Sequence, residues 1–334
     1  MKDNKRTTAR PGAEGDDGKR TAARLSGVTL ACCTLVLARV ALAGTCLCGE
    51  APERANDFFW ENDRVGFRAY GPGDVHKWSG IDVFNKSVST NIVVHWLREP
   101  GRHGNWHLNQ GQGMDDYAVG PGRGVGGVAL RKDGKWLPDY GNWVAYRIVT
   151  NSDERCEFEL DYKLPIGGTM TLGIALKRGS SLFAETVTLS KDVPTDGLEV
   201  GVGLDLSAER LHVGDLVIDE KRRLVSLFEK PHLDKDGKMT KGEEGSMMSA
   251  IFEVLPCKQA RLVDGPESSK MILTYPLKAW DHGTVLCVAA GSDWTEAGRF
   301  RTAKAWHRYV REDQKKVWSD LVEMLTGQKG GQEK

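Results

Sequence analysis

Two histidines, two adjacent carboxylates, a tyrosine and a tryptophan fall between glycines within the fifteen residues His103–Tyr117. Glycine restricts φ very little, so a backbone of this kind lets such side chains converge on a ligand. His107 and Tyr117 are suited to be the base and the acid of a proton-transfer reaction. Hydrolysis of a glycosidic bond instead needs two opposed carboxylates. Asp115 and Asp116 are too close in sequence to be both, so one of them paired with Asp82 or Glu61 is the better arrangement. Arg68 and Arg64 can clamp a uronate carboxylate through paired hydrogen bonds, and are equally readable as rim residues or as ion-pair partners of Glu61 and Asp63. Trp60, Trp78 and Trp106 offer flat faces for stacking on a pyranose ring. The plainer reading has Trp106 and Met114 plugging a core while His107 and the aspartates are solvated turn residues.

The elements that must position these groups read as strands. In Phe59–Tyr70, Val65, Phe67 and Ala69 alternate with Arg64, Arg68 and Tyr70. Gly80–Phe84, Ile92–Leu97, Trp143–Val149, Glu157–Tyr162, Thr169–Leu176, Phe183–Leu189 and Leu198–Leu206 repeat the period of two. Lys132-Asp-Gly-Lys135 and Lys235-Asp-Gly-Lys238 read as hairpin tips. Many short strands with this punctuation predict a mainly β chain over residues 55–302, a large antiparallel β-sandwich resembling the mutarotase-type supersandwich. One helix is expected over residues 303–325, where Trp306, Val310, Val317, Leu321 and Leu325 recur at helical spacing, followed by a disordered tail over residues 326–334.

Residues 1–43 have the character of a secretory signal peptide: a polar, basic start, an apolar run from Leu25 to Ala38, and Ala41-Leu-Ala43 as a small-x-small cleavage site. The apolar run is too short to span a bilayer, so no membrane span is expected after cleavage. The chain is therefore expected to be secreted or periplasmic, with residues 44–54 as a disordered linker and lipid attachment at Cys46 as a competing reading. Cleavage removes eight of the 46 basic and four of the 46 acidic residues, leaving 38 and 42 and a net charge of −4. No basic patch argues for nucleic acid. Of the seven cysteines, Cys156, Cys257 and Cys287 lie in the body, enough for one bridge and too few for a disulfide scaffold.

Several other sites fail on spacing. His103 and His107 are four apart, but Gly104 and Asn105 disfavour the helix that a zinc pair needs. Asp234-Lys-Asp-Gly237 begins like a calcium loop, yet Lys238 and Met239 stand where an oxygen ligand and a glycine belong. Residues 120–127 are glycine-rich without the strand and helix of a nucleotide site. No Gly-x-Ser-x-Gly turn is present. His76 and His95 can line the same groove, although a lone strand histidine is more often structural. No cofactor or metal is expected.

Phe59-Trp-Glu-Asn-Asp-Arg-Val-Gly-Phe-Arg-Ala-Tyr-Gly-Pro72, Ser79-Gly-Ile-Asp-Val-Phe84, the run from His107 through Gly-Met-Asp-Asp-Tyr-Ala-Val-Gly120, and Gly124-Val-Gly-Gly127 resemble a bacterial secreted family catalogued as domain of unknown function 4861. The resemblance covers about residues 55–308, most specifically up to residue 130, with Ala289–Thr295 similar to the family's closing strand. Phe84 and Trp106 replace the family's usual Trp and Tyr. The resemblance implies a place beside enzymes that dismantle plant or algal polysaccharides. Three classes stay open: a lyase or hydrolase acting on oligosaccharides, acidic ones first; a mutarotase-like sugar epimerase; and a non-catalytic glycan-binding module. Each takes an oligosaccharide or polysaccharide as its partner.

Overall fold

The computed structural model describes residues 44–313, apart from residues 76, 100–104, 118, 120–122, 206–213, 232–234, 239–244, 255–260, 267–270 and 277–282. The expected signal segment, residues 314–334, His76, His103, Asp234 and Cys257 lie outside the described residues.

The chain runs through β1 (Leu47–Ala51), β2 (Asp57–Glu61), β3 (Val65–Ala69), β4 (Ile81–Lys86), α1 (Val93–Arg98) and β5 (Gly113–Met114). It continues through β6 (Val125–Lys132), β7 (Lys135–Trp136), β8 (Ala145–Asn151), β9 (Arg155–Lys163), β10 (Thr169–Lys177), β11 (Leu182–Leu189) and β12 (Leu198–Leu204). The remaining elements are β13 (Asp215–Asp219), β14 (Leu224–Phe228), β15 (Met247–Glu253), β16 (Arg261–Val263), β17 (Met271–Pro276), β18 (Gly283–Trp294) and α2 (Ala303–Arg308). The strands form a five-stranded sheet in the order β1-β2-β3-β4-β5, an eight-stranded sheet β13-β14-β15-β18-β11-β10-β9-β8, and a five-stranded sheet β16-β17-β12-β6-β7. All neighbouring strands are antiparallel.

The mainly β, sandwich-like architecture therefore agrees with the period-two pattern. One apolar cluster draws on all three sheets, through Trp60, Phe67, Val83, Val128, Phe158, Leu172 and Val202. A second lies on the other face of the eight-stranded sheet, where Trp306, Tyr309, Val310 and Phe300 pack on Ala184, Met248 and Phe252. α2 supplies Trp306, starts where the Thr302 side chain accepts from the Ala305 N–H, and passes into a single wider turn over Tyr309–Asp313.

Four local expectations are corrected. Phe59–Tyr70 is two strands, because the Asn62 side chain accepts from the N–H groups of Arg64 and Val65 at 2.8 and 3.1 Å and closes a tight turn. Ile92–Leu97 is helical. Its buried residues Val93, Val94, Trp96 and Leu97 recur at one-, three- and four-residue spacing, and the Glu61 carboxylate accepts from the N–H groups of Ile92 and Val94 at 2.9 and 3.0 Å. That carboxylate also receives Lys86 Nζ at 2.8 Å in a fully buried pair, so Glu61 is a structural anchor and not a catalytic partner. Residues 44–54 are no linker: β1 pairs with β2 from Leu47 to Ala51, and Cys46 and Cys48 join the main core. A buried Cys46, whose N–H donates to the Asp153 carbonyl at 3.2 Å, is badly placed for a lipid.

The Asp133-Gly134 tip is a hairpin turn, with both residues at positive φ between β6 and β7. At the end of the eight-stranded sheet, β8 exposes Tyr146, Ile148 and Val149 to solvent, and a bulge drops Val149 out of the ladder to β9.

Glu185 on β11 is fully buried, and neither carboxyl oxygen has a hydrogen-bond partner among the described residues. Gly126 lies against it at φ 79°; a Cβ there would stand 2.9 Å from Glu185 Oε2. Burial pushes this carboxyl well above the ordinary glutamate range. A raised folded-state value means that the stability it contributes is complete below the unfolded-state value and is lost as pH rises towards the folded-state value. The slope of that loss is about 1.4 kcal/mol per pH unit. Glu185→Gln should flatten this part of the profile and melt several degrees above the parent at pH 8. Thermal unfolding from pH 4 to 9 checks it, and a variant less stable than the parent at pH 8 would show that the carboxylate is charged and partnered.

Candidate functional site

The outer face of the first sheet carries Asp57, Phe59 and Glu61 from β2, Arg68 from β3, and Asp82, Phe84 and Lys86 from β4. All of these are buried under a further layer: α1 and Trp106 cover Phe59 and Phe84. A strand that alternates apolar and charged residues thus has both faces covered, which obliges the charges to pair.

Arg68 stands opposite Asp82 across the β3–β4 ladder. Its Nε and Nη2 donate to Asp82 Oδ2 at 2.9 and 2.7 Å, and its Nη1 donates to Asp57 Oδ2 at 3.2 Å. Asp115 Oδ2 lies 3.7 Å from Nη2. The rings of Tyr70, Phe84 and Trp106 surround the guanidinium at 4.8, 5.3 and 5.8 Å. The Tyr70 hydroxyl donates to Asp82 Oδ2 at 3.2 Å, and burial and then the Asp82 charge raise its pKa, so it stays a donor. Burial raises the Asp57 carboxyl against the opposing pull of Arg68. Three carboxylates thus share one guanidinium.

Asp115 reaches this cluster because Gly113 precedes it. At φ 148° a Cβ on Gly113 would lie 1.9 Å from the Asn85 carbonyl, so glycine is what permits β5 to lie against β4. The Asp115 N–H donates to the Trp106 carbonyl at 2.8 Å, which ties the two halves of the loop together. His107 then sits on Asp115: its Nδ1 is 3.2 Å from the Asp115 carbonyl and 3.7 Å from Oδ2, and its side chain is 61% exposed. A carbonyl can only accept, so the neutral ring carries its proton on Nδ1 and presents Nε2 as the basic nitrogen. The imidazole is thus exposed and oriented through Nδ1 by a backbone carbonyl, with a buried carboxylate nearby.

The structure thus brings His107, Asp115, Asp82, Arg68 and Trp106 together, with altered roles for the last three. Arg68 is buried and engaged with its own carboxylates, which withdraws it as a uronate clamp. Trp106 turns its ring to Phe84 and the Arg68 guanidinium and is no exposed platform. Asp82 is likewise buried and occupied. Trp60 is fully buried and stacks on Phe67 at 5.5 Å, so it cannot touch a sugar. Tyr117 belongs to the main core, where its hydroxyl lies 3.3 Å from both the N–H and the carbonyl of Asp205, so it is not placed to act as an acid. Arg64 lies in the β2–β3 turn, its carbonyl accepting from Arg299 Nη2 at 2.9 Å. Asp116 is half-buried, and His95 is exposed 3.9 Å from Glu99. Trp78 is 43% exposed and stands edge-on to Tyr70 at 5.5 Å.

Sequence reasoning passed over Asp57 and Tyr70. It also passed over Arg123, buried and ion-paired with Asp139 beside Ser79, which accepts from Arg123 Nη1 at 3.3 Å. The signal for Asp57 was present, since it shares its strand face with Phe59 and Glu61. Among the described residues, no three His, Cys, Asp or Glu side chains are grouped to hold a metal ion, and no helix is long and apolar enough to cross a membrane.

These features define a mainly β protein of large antiparallel sheets that displays a histidine–aspartate pair over a buried ion cluster. The chain belongs to the family described as domain of unknown function 4861, whose model matches residues 19–321. It is also similar to Uncharacterized protein P7 of Formosa agariphila, with 26% identity over 288 residues, 81% of this chain and 67% of the relative.

Proposed function

We propose that this is an exported carbohydrate-active protein of polysaccharide breakdown, and that His107 moves a proton on an oligosaccharide. The observation that carries the reading is the exposed His107 imidazole, oriented through Nδ1 by the Asp115 backbone carbonyl, with the Asp115 carboxylate 3.7 Å away and itself beside Arg68. Lyase chemistry fits it better than hydrolysis. Elimination needs one base to take the proton beside a uronate carboxylate, after which the C–O bond to the leaving sugar breaks and that oxygen takes up a proton. A two-carboxylate hydrolase needs exposed, opposed acids, and Asp82 and Asp115 are both buried against one guanidinium. Trp78 supplies an aromatic face for stacking. With Arg68 withdrawn, the preference for acidic over neutral substrates rests on the reaction class alone.

The test is a panel of uronate-containing and neutral oligosaccharides. New ultraviolet absorbance from an unsaturated uronate supports the lyase; new reducing ends without it indicate hydrolysis. Neither signal, together with calorimetric binding, would replace catalysis by a glycan-binding role. Trp78→Ala should weaken affinity roughly 5–10-fold with little change in turnover, as expected for about 1 kcal/mol of lost stacking. Titration calorimetry and the split between KM and kcat check it.

A further inference from the structure

Three thiols meet where the first described strand docks on the large sheet. Cys46, Cys48 and Cys156 are all buried within the main core. Cys48 is gripped at both ends of its backbone by one amide: its N–H donates to Asn151 Oδ1 at 3.2 Å, and its carbonyl accepts from Asn151 Nδ2 at 3.0 Å. Asn151 is in turn the direct cross-strand partner of Cys156 in the β8–β9 ladder. The same end of that hairpin holds Cys46, through its N–H to the Asp153 carbonyl. Cys48 is thereby held beside Cys156, near enough for the two thiols to hydrogen-bond. All four described cysteines are free thiols in this structure.

We infer that Cys48 and Cys156 are disulfide partners, and that the bond forms when the chain folds in the presence of a thiol–disulfide oxidant such as oxidised glutathione. Two successive exchanges form it. One cysteine thiolate attacks the glutathione disulfide and releases one glutathione thiol; the second thiolate then attacks the mixed disulfide and releases the other. The protein loses two protons and two electrons, and glutathione gains them. Timing follows from the surroundings of Cys156, where the neighbouring Cys48 thiol and then burial raise the thiol well above the ordinary range. A buried neutral thiol is a poor nucleophile, so the exchange belongs to the folding chain rather than to the finished fold. The bond would enclose 107 intervening residues and staple β1 to β9, and long loops are where a cross-link constrains the unfolded chain most. Cys46 is the competing partner. The two-ended Asn151 clasp on Cys48, absent at Cys46, decides between them.

The experiment refolds the full chain from denaturant in a mixture of reduced and oxidised glutathione, alkylates it under denaturing conditions, and maps the peptides by mass without reduction. The expected result is a linked peptide pair containing Cys48 and Cys156. The oxidised protein should melt about 5–15 °C above its reduced form. Cys46→Ser should keep both the link and the shift, and Cys48→Ser should lose both. Refolded protein with Cys48 and Cys156 both alkylated overturns the inference, as does a bond that uses Cys46, Cys257 or Cys287 in place of either. Mapping of the unsubstituted chain decides the matter even where Cys48→Ser does not fold.

Discussion

Arg68→Met should lower stability by about 3–5 kcal/mol, the range for removing one partner from a buried ion pair. In a chain of this size that corresponds to a fall in Tm of roughly 6–20 °C. The cause is what remains: Asp57, Asp82 and Asp115 would face one another in a covered layer with no cation between them. The deficit should be larger at pH 8 than at pH 4.5, because acid protonates the stranded carboxylates and relieves their repulsion. Arg68→Lys should recover only part of the loss, since an ammonium group cannot send two donors to Asp82 and another to Asp57 from one plane. Thermal unfolding of the three proteins at both pH values checks the series. An Arg68→Met variant as stable as the parent at pH 8 would mean that the cluster is hydrated and open.

His107→Ala should reduce turnover ~10²–10⁴-fold, equivalent to about 3–5 kcal/mol of barrier, with KM changed little. The ring is largely exposed and packs on little, so Tm should stay near that of the parent. This separates His107 from Arg68, where stability carries the loss. Asp115→Asn keeps the backbone carbonyl that engages Nδ1 but removes the charge that would stabilise the imidazolium, so it should slow turnover while leaving the ring in place. Steady-state kinetics on the substrate found by the panel decides between roles. A His107→Ala protein that binds more weakly but turns over normally would make His107 a binding residue.

The large sheet is legible in the chain because its strands alternate and its tips announce themselves. Leu172, Ile174, Phe158 and Leu160 recur every second residue, and Asp133-Gly134 can hardly be anything but a turn. Of the site, His107 and Asp115 are legible because polar groups gather on glycine-rich backbone. What stayed hidden depends on the layer laid over the first sheet. Arg68 in an alternating strand has the pattern of a solvent-facing residue, and the non-local arrival of Trp106 and Asp115 helps to cover it. The same long-range effect misled the reading of Ile92–Leu97. Its β-branched residues favour a strand in isolation, yet Glu61, more than thirty residues earlier, caps it as a helix. Tyr117 and Trp60 misled for the converse reason: an aromatic residue in a polar stretch can still be core.

The bulge in β8 bears on how the protein behaves in a crowded solution. An outermost strand with solvent-facing Tyr146, Ile148 and Val149 is the kind of edge on which chains add to one another and precipitate. Because Val149 is out of step with the hydrogen-bonding period, a strand from a neighbouring copy would meet matching donors and acceptors on one side of the bulge and mismatched ones on the other. Arg147 sets a charge in the middle of the same stretch, and the Asn151 amide is already committed to Cys48. The irregularity that breaks the ladder therefore also guards the sheet against uncontrolled self-assembly.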